Sequence, residues 1–224
     1  TAYDLQPDSQ SAPLFQETYT ESRFFEEREN RFIFILNIAD KTAGTGSAKI
    51  MAVQDGTLKA VATCPVDGTG DGVQDIKYAR INSRQYAVIL DIKRGNNMSS
   101  QFLFWDENGL TNPYMRDGVL NSSLIRETEF ACLDIDKDGI IEVPVASSMM
   151  SSLYPDEKNK LSWMEYDLKG SSSDLKTYHA PSDGWYIRWM DNWSDSVVVQ
   201  STRYSRMIKT VFFALDEDYS LTSL

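Results

Sequence analysis

The sequence is short of the residues on which most catalytic chemistry depends. It has one histidine, His179, among 224 residues. That excludes two-histidine metal centres and leaves any Ser-His-Asp triad dependent on a single imidazole. No Gly-x-Ser-x-Gly elbow occurs,. The two cysteines, Cys64 and Cys132, have no metal-type spacing and allow two readings, one disulfide or a pair of buried free thiols,. No apolar run approaches the ~20 residues of a membrane span. No basic stretch followed by an apolar one near Thr1 marks a signal peptide. Positive charge is also scarce, with 22 Lys and Arg against 33 Asp and Glu and a formal charge of −11. Without clustered cations to release counterions, nucleic acid is not expected as a partner, whereas an acidic surface suits divalent cations. The same acids are too many to be narrowed to the carboxylate pair of a glycosidase. Helical periodicity is missing as well. The spacing of Trp185, Trp189 and Trp193 fits a helix, but the register of the repeat described next reads them as strand.

What is present is apolar and aromatic content at regular intervals. Hydrophobic residues make up 42% and aromatics 12%, enough for a sizeable core and suited to pleated surfaces. Four segments, residues 21–38, 76–93, 129–147 and 185–202, share one shape: a short strand, a polar loop, then a more apolar strand. The second strands start at Arg31, Tyr86, Ile140 and Val197, at intervals of 55, 54 and 57 residues. Such intervals are characteristic of blade-like modules. Each segment leads into a further strand pair around an acidic or glycine turn, as at Asp55-Gly56 and Asn108-Gly109. The near-continuous run Phe32-Ile33-Phe34-Ile35-Leu36 fits a strand buried on both faces, and the outer pairs read as half-buried edges. The fold expected is all-β, a β-propeller-like array of about four four-stranded antiparallel blades. Its modules cover residues 21–66, 67–125, 126–182 and 183–224. Residues 1–20 form a partial outer hairpin, which either completes the last blade by ring closure or belongs to a preceding unit.

The sharpest chemical signal is Asp134-Ile135-Asp136-Lys137-Asp138-Gly139-Ile140-Ile141-Glu142. Carboxylates at positions 1, 3 and 5 converge when the backbone winds tightly, and glycine at position 6 permits the turn. The backbone carbonyl of Ile140 and the carboxylate of Glu142 supply further oxygens. The spacing predicts a calcium site built from Asp134, Asp136, Asp138, Ile140 and Glu142, structural in role. Position 12 is Val145, so the loop is not an EF-hand. A second acidic stretch with the same spacing, Asp67, Thr69, Asp71 and Asp75, precedes its module's first strand and reads as an inter-module turn, with a second ion as the alternative.

An Asp-x-Asp-x-Asp-Gly-x-x-Glu element between two strands, followed by an aromatic-rich hairpin, resembles the FG-GAP/VCBS repeats of β-propellers. The chain as a whole is similar to secreted VCBS-repeat lipoproteins of gut Clostridia. Only the third module carries the metal signature. At the equivalent place the first has Glu26-Glu27-Arg28-Glu29-Asn30, the second Asn82-Ser83-Arg84-Gln85 and the fourth Asp191-Asn192-Trp193-Ser194-Asp195. The resemblance implies an extracellular protein, anchored at the cell surface in its full-length form. The function expected is a non-catalytic binding module for a protein or glycan. Alternatives are a carbohydrate-active hydrolase or lyase using paired carboxylates, and a structural spacer of a larger surface protein. Trp193, Asp191 and Asp195 are the candidate ligand contacts, since an indole beside acids suits sugar stacking. Core packing is the competing reading for the tryptophans.

Overall fold

The computed structural model describes residues 18–27, 30–40, 44–113, 115–116, 119–120, 125–126, 128–146, 159–165, 175–180, 185–190, 192–193, 196–204, 207–215 and 221–223. Over these residues the chain is all-β, built of several antiparallel sheets and without a helix. It divides into two compact units. One comprises Thr1–Arg80 with Arg84–Ile125, the other Ile81–Ser83 with Arg126–Leu224. Residues 1–17, expected to hold most of the partial hairpin, lie outside the described residues.

In the first unit, β1 (Glu21–Glu27), β2 (Asn30–Asp40), β3 (Thr45–Gln54) and β4 (Thr57–Asp67) form a four-stranded meander in sequence order. Asp55 and Gly56 both take positive φ, 52° and 74°. That is the two-residue turn whose twist matches a hairpin. A second sheet follows, with β5 (Gly72–Arg80), β6 (Tyr86–Arg94) and β7 (Asn97–Asp106) side by side and β8 (Gly109–Thr111) also on β7. Phe32, Phe34 and Leu36 from β2 meet Val88, Leu90 and Ile92 from β6 and Leu103 from β7 in one buried cluster. Phe32 packs edge-on against Tyr78 at 5.0 Å and Trp105 at 4.9 Å. Each such buried side chain contributes about 1.5–3 kcal/mol. β7 departs from expectation: Met98 through Leu103 are all buried, including Ser99, Ser100 and Gln101. An outer half-exposed edge was expected here. Two of these polar side chains are accommodated by hydrogen bonding, the Ser100 hydroxyl on Asp91 and Gln101 on the Asp67 backbone, while the Ser99 hydroxyl is buried without a hydrogen-bond partner among the described residues. A two-residue hairpin, β9 (Met115–Arg116) with β10 (Val119–Leu120), precedes the short strand β11 (Ile125–Arg126).

In the second unit, β12 (Glu142–Ala146), β13 (Lys160–Glu165), β14 (Lys176–His179) and β15 (Tyr186–Arg188) form a four-stranded antiparallel sheet. A three-stranded sheet, β16 (Val197–Tyr204), β17 (Met207–Leu215) and β18 (Leu221–Ser223), follows. Two particulars differ from the expected register. Leu133 makes only an isolated bridge with Glu142, and among the described residues the strand expected before the acidic loop forms no further ladder with β12. Tyr186–Arg188, expected to open the fourth module, pairs with β14 through Thr177, Tyr178 and His179. Trp189 and Met190 leave the strand.

Candidate metal centre

The 134–142 loop is held by alternation of apolar and acidic residues. Ile135, Ile140 and Ile141 are buried. Ile135 packs with Leu161 and Trp163, against which Phe130 and Leu175 also lie. With the isoleucines drawn inward, Asp136 and Asp138 stay exposed and Asp134 half-buried. Lys137 and Gly139 take positive φ, 66° and 86°, and a side chain at Gly139 would be strained there. The turns are closed by the acids themselves: Gly139 N donates to Asp134 Oδ2 at 3.1 Å, Asp138 N to Asp136 Oδ1 at 3.2 Å and Ile140 N to Asp138 Oδ1 at 2.7 Å.

One oxygen from each of Asp134, Asp136 and Asp138 lies within 4.8 Å of the other two. Two ligands of one ion at about 2.4 Å are no further apart than that, so the trio could hold a metal ion. Among the described residues no other group of three His, Cys, Asp or Glu converges in this way. Asp134 Oδ1 is shielded from solvent and accepts no hydrogen bond, an arrangement that is costly unless a cation supplies the missing partner. Glu142 lies beneath, 2% exposed, with one oxygen accepting the Ile135 amide at 2.9 Å. Burial, aided by the charges of Asp136, Asp138 and Asp134, pushes its carboxyl up to about 7. The donor set is all oxygen, which suits a hard cation.

The second acidic stretch is otherwise engaged. Asp67 Oδ2 pairs with Arg94 Nη2 at 2.6 Å, and its Oδ1 accepts Thr69 N at 2.8 Å. Burial alone would raise its carboxyl, but the Thr69 hydrogen bonds and Arg94 hold it below the usual range. Asp71 Oδ2 accepts Gly95 N at 2.6 Å, and Asp75 pairs with Lys77 at 2.7 Å. These acids brace the turn between β4 and β5.

Of the tryptophan candidates, Trp189 is buried and Trp193 half-buried, edge-on to each other at 5.1 Å. Both pack on Phe212, and Lys160 Nζ sits 4.3 Å over the Trp189 ring. Asp191 and Asp195 lie outside the described residues. The exposed aromatics here are Trp185 (37%) and Tyr186 (46%). His179 is buried, stacked on Tyr186 at 5.1 Å, with Nε2 2.9 Å from Thr177 Oγ1. Cys64 and Cys132 are buried free thiols, and burial raises the Cys64 thiol to about 12. Among the described residues no helix is long and apolar enough to cross a membrane.

Sequence reasoning passed over Arg126, whose guanidinium joins the two ends of the acidic loop. No local motif marks it, because its contacts reach up to 18 residues along the chain. Comparison with protein-family models, with curated proteins and with solved structures found no match to this chain.

Proposed function

We propose that this chain is a non-catalytic extracellular binding module of FG-GAP/VCBS type, with a structural calcium ion in its 134–142 loop. The observation that carries the calcium reading is the convergence of Asp134, Asp136 and Asp138 over a buried Glu142. Three aspartates held this closely repel one another, and a divalent cation relieves that cost,. When bound, the ion would supply charge neutralisation and cross-linking of the loop. A propeller-like arrangement is supported by the first unit, where two successive antiparallel sheets stack face to face through one core. The non-catalytic reading is supported by the single histidine lying buried in a ring stack.

The partner class is a cell-surface protein or glycan, with the exposed rings of Trp185 and Tyr186 as the surface offered. The test is calcium titration calorimetry with a glycan array and a pull-down from envelope extract. A saturable calcium site abolished by Asp136→Asn, together with a ligand in either screen, is expected. Polysaccharide turnover without a ligand in either screen rejects the binding-module reading. No calcium heat up to millimolar concentration rejects the metal reading.

A further inference from the structure

The acidic loop is mounted on two arms that share a single rung. Leu133 and Glu142 exchange both backbone hydrogen bonds at 3.0 Å. By contrast, β1 and β2 share seven rungs and β5 and β6 share eight. A long loop on so short a ladder would sample many openings, each of which separates the carboxylates. Bringing them together again costs closure entropy that subtracts from ion affinity.

Arg126 stands where the missing rungs would be. It is 4% exposed. Its Nη1 donates to the Phe130 carbonyl at 3.0 Å and to the Pro144 carbonyl at 2.7 Å. Its Nη2 lies 3.9 Å from Cys132 Sγ. Phe130 is four residues before Asp134, and Pro144 is two residues after Glu142, so one planar guanidinium grips both arms immediately below the loop. The chain folds to allow it: Phe130 N donates to Thr128 Oγ1 at 3.2 Å, turning the backbone so that the Phe130 carbonyl faces its own Arg126. Pro144 has no N–H, but its carbonyl accepts from the arginine. Charge-assisted bonds from the two hydrogens of one planar, fixed nitrogen hold a separation better than a freely rotating ammonium can,.

We infer that Arg126 is the positioning residue of the metal loop, holding its arms at the separation the carboxylates need. The inference rests on the calcium reading. It is tested with Arg126→Gln and Arg126→Lys through three measurements on the full chain. These are calcium affinity by calorimetry, bound waters on terbium by luminescence lifetimes in H2O and D2O, and amide exchange of Ile135, Gly139 and Ile140 without metal. Arg126→Gln is expected to weaken calcium about 10–100-fold, the usual effect of losing a residue that orients ligands. It should also add at least one water to terbium and speed loop exchange. Arg126→Lys should recover part of each. Unchanged affinity with unchanged terbium hydration in Arg126→Gln overturns the inference, since a merely structural arginine would behave so. If Arg126→Gln does not fold, Arg126→Lys decides by the same criteria. If the wild-type chain binds no calcium, the metal reading fails on its own. Loop exchange then shows whether Arg126 holds the arms, and exchange unaffected by Arg126→Lys refutes that.

Discussion

Glu142 accepts the Ile135 amide at 2.9 Å while three aspartates crowd its carboxyl from above. Its folded-state pKa of about 7 lies above the ordinary 4.5. Between those values the folded chain keeps a proton that the unfolded chain has lost. The contribution of Glu142 to metal-free stability therefore falls as pH rises from 4.5 to 7, by at most roughly 3 kcal/mol,. Urea denaturation in EDTA, compared with Glu142→Gln, isolates this term: the stability of wild type relative to the variant should fall as pH rises from 4.5 to 7,. Millimolar calcium should oppose the trend, because only ionised carboxylates ligate the ion. A wild-type profile parallel to that of Glu142→Gln would sink this account of the buried carboxyl.

Calcium itself should stabilise modestly. Extracellular modules bind with dissociation constants of about 10⁻⁴ to 10⁻³ M. At about 1 mM ion that gives on the order of 0.4–1.4 kcal/mol, and a rise of a few degrees in the melting temperature of the second unit. Asp136→Asn should remove most of the shift. Asp75→Asn should leave it intact, because Asp75 is paired with Lys77. Differential scanning calorimetry with calcium and with EDTA makes the comparison, and equal loss in both variants would argue for nonspecific screening.

What could be read from the sequence was local. The β2 run of Phe32 to Leu36 declares a strand because nearly every position is apolar. The Asp55-Gly56 turn declares a hairpin because few other pairs tolerate two positive φ values. The acidic loop was equally legible, since its spacing lies within nine consecutive residues. Non-local pairing was not. Nothing in Tyr186–Arg188 states that it will lie beside β14, and periodicity cannot show that Gln101 will meet Asp67, 34 residues away. The polar run Ser99-Ser100-Gln101 looks solvated until those partners are known. Trp193, a ligand candidate in the sequence, packs instead on nearby Trp189 and on Phe212 from β17, the second of which no local pattern foretells.

His179 should oppose Glu142 in the pH dependence. Burial lowers its pKa from 6.5 to about 4. Thr177 Oγ1 accepts the Trp163 indole N–H at 2.6 Å, which leaves its own proton to be given to His179 Nε2, favouring the neutral ring. As pH falls below 6.5 the unfolded chain takes up a proton that the folded ring refuses. Stability present above 6.5 is therefore lost progressively toward pH 4, by about 2–3 kcal/mol between pH 7 and 4.5. His179→Gln should lower stability at pH 7 through lost stacking, yet the gap to wild type should narrow toward pH 4.5, where the unprotonated wild-type ring no longer favours the fold,. Chemical denaturation at the two pH values reads the difference, and equal slopes for both proteins would show that the imidazole titrates normally.

The two sheets of the first unit are joined at one end by a polar clasp. Gln101, fully buried, takes the Asp67 amide on Oε1 at 2.9 Å and gives Nε2 to the Asp67 carbonyl at 2.7 Å. The same Oε1 also accepts Asn112 Nδ2 at 3.0 Å. This is a backbone-like pair made by a side chain, and it satisfies the residue at which β4 ends. Gln101→Leu keeps the volume but strands a buried N–H and C=O, at about 1–3 kcal/mol for each. The expected loss is roughly 2–4 kcal/mol in urea denaturation, with calcium affinity unchanged because the metal loop lies in the other unit. Gln101→Glu can still accept but cannot donate to the Asp67 carbonyl, and it brings a buried charge beside an existing carboxylate. It should be at least as damaging at pH 7 and should recover as the new acid protonates. A Gln101→Leu protein within 0.5 kcal/mol of wild type, a margin typical of surface substitutions, would mean that water or a backbone shift replaces the clasp at little cost.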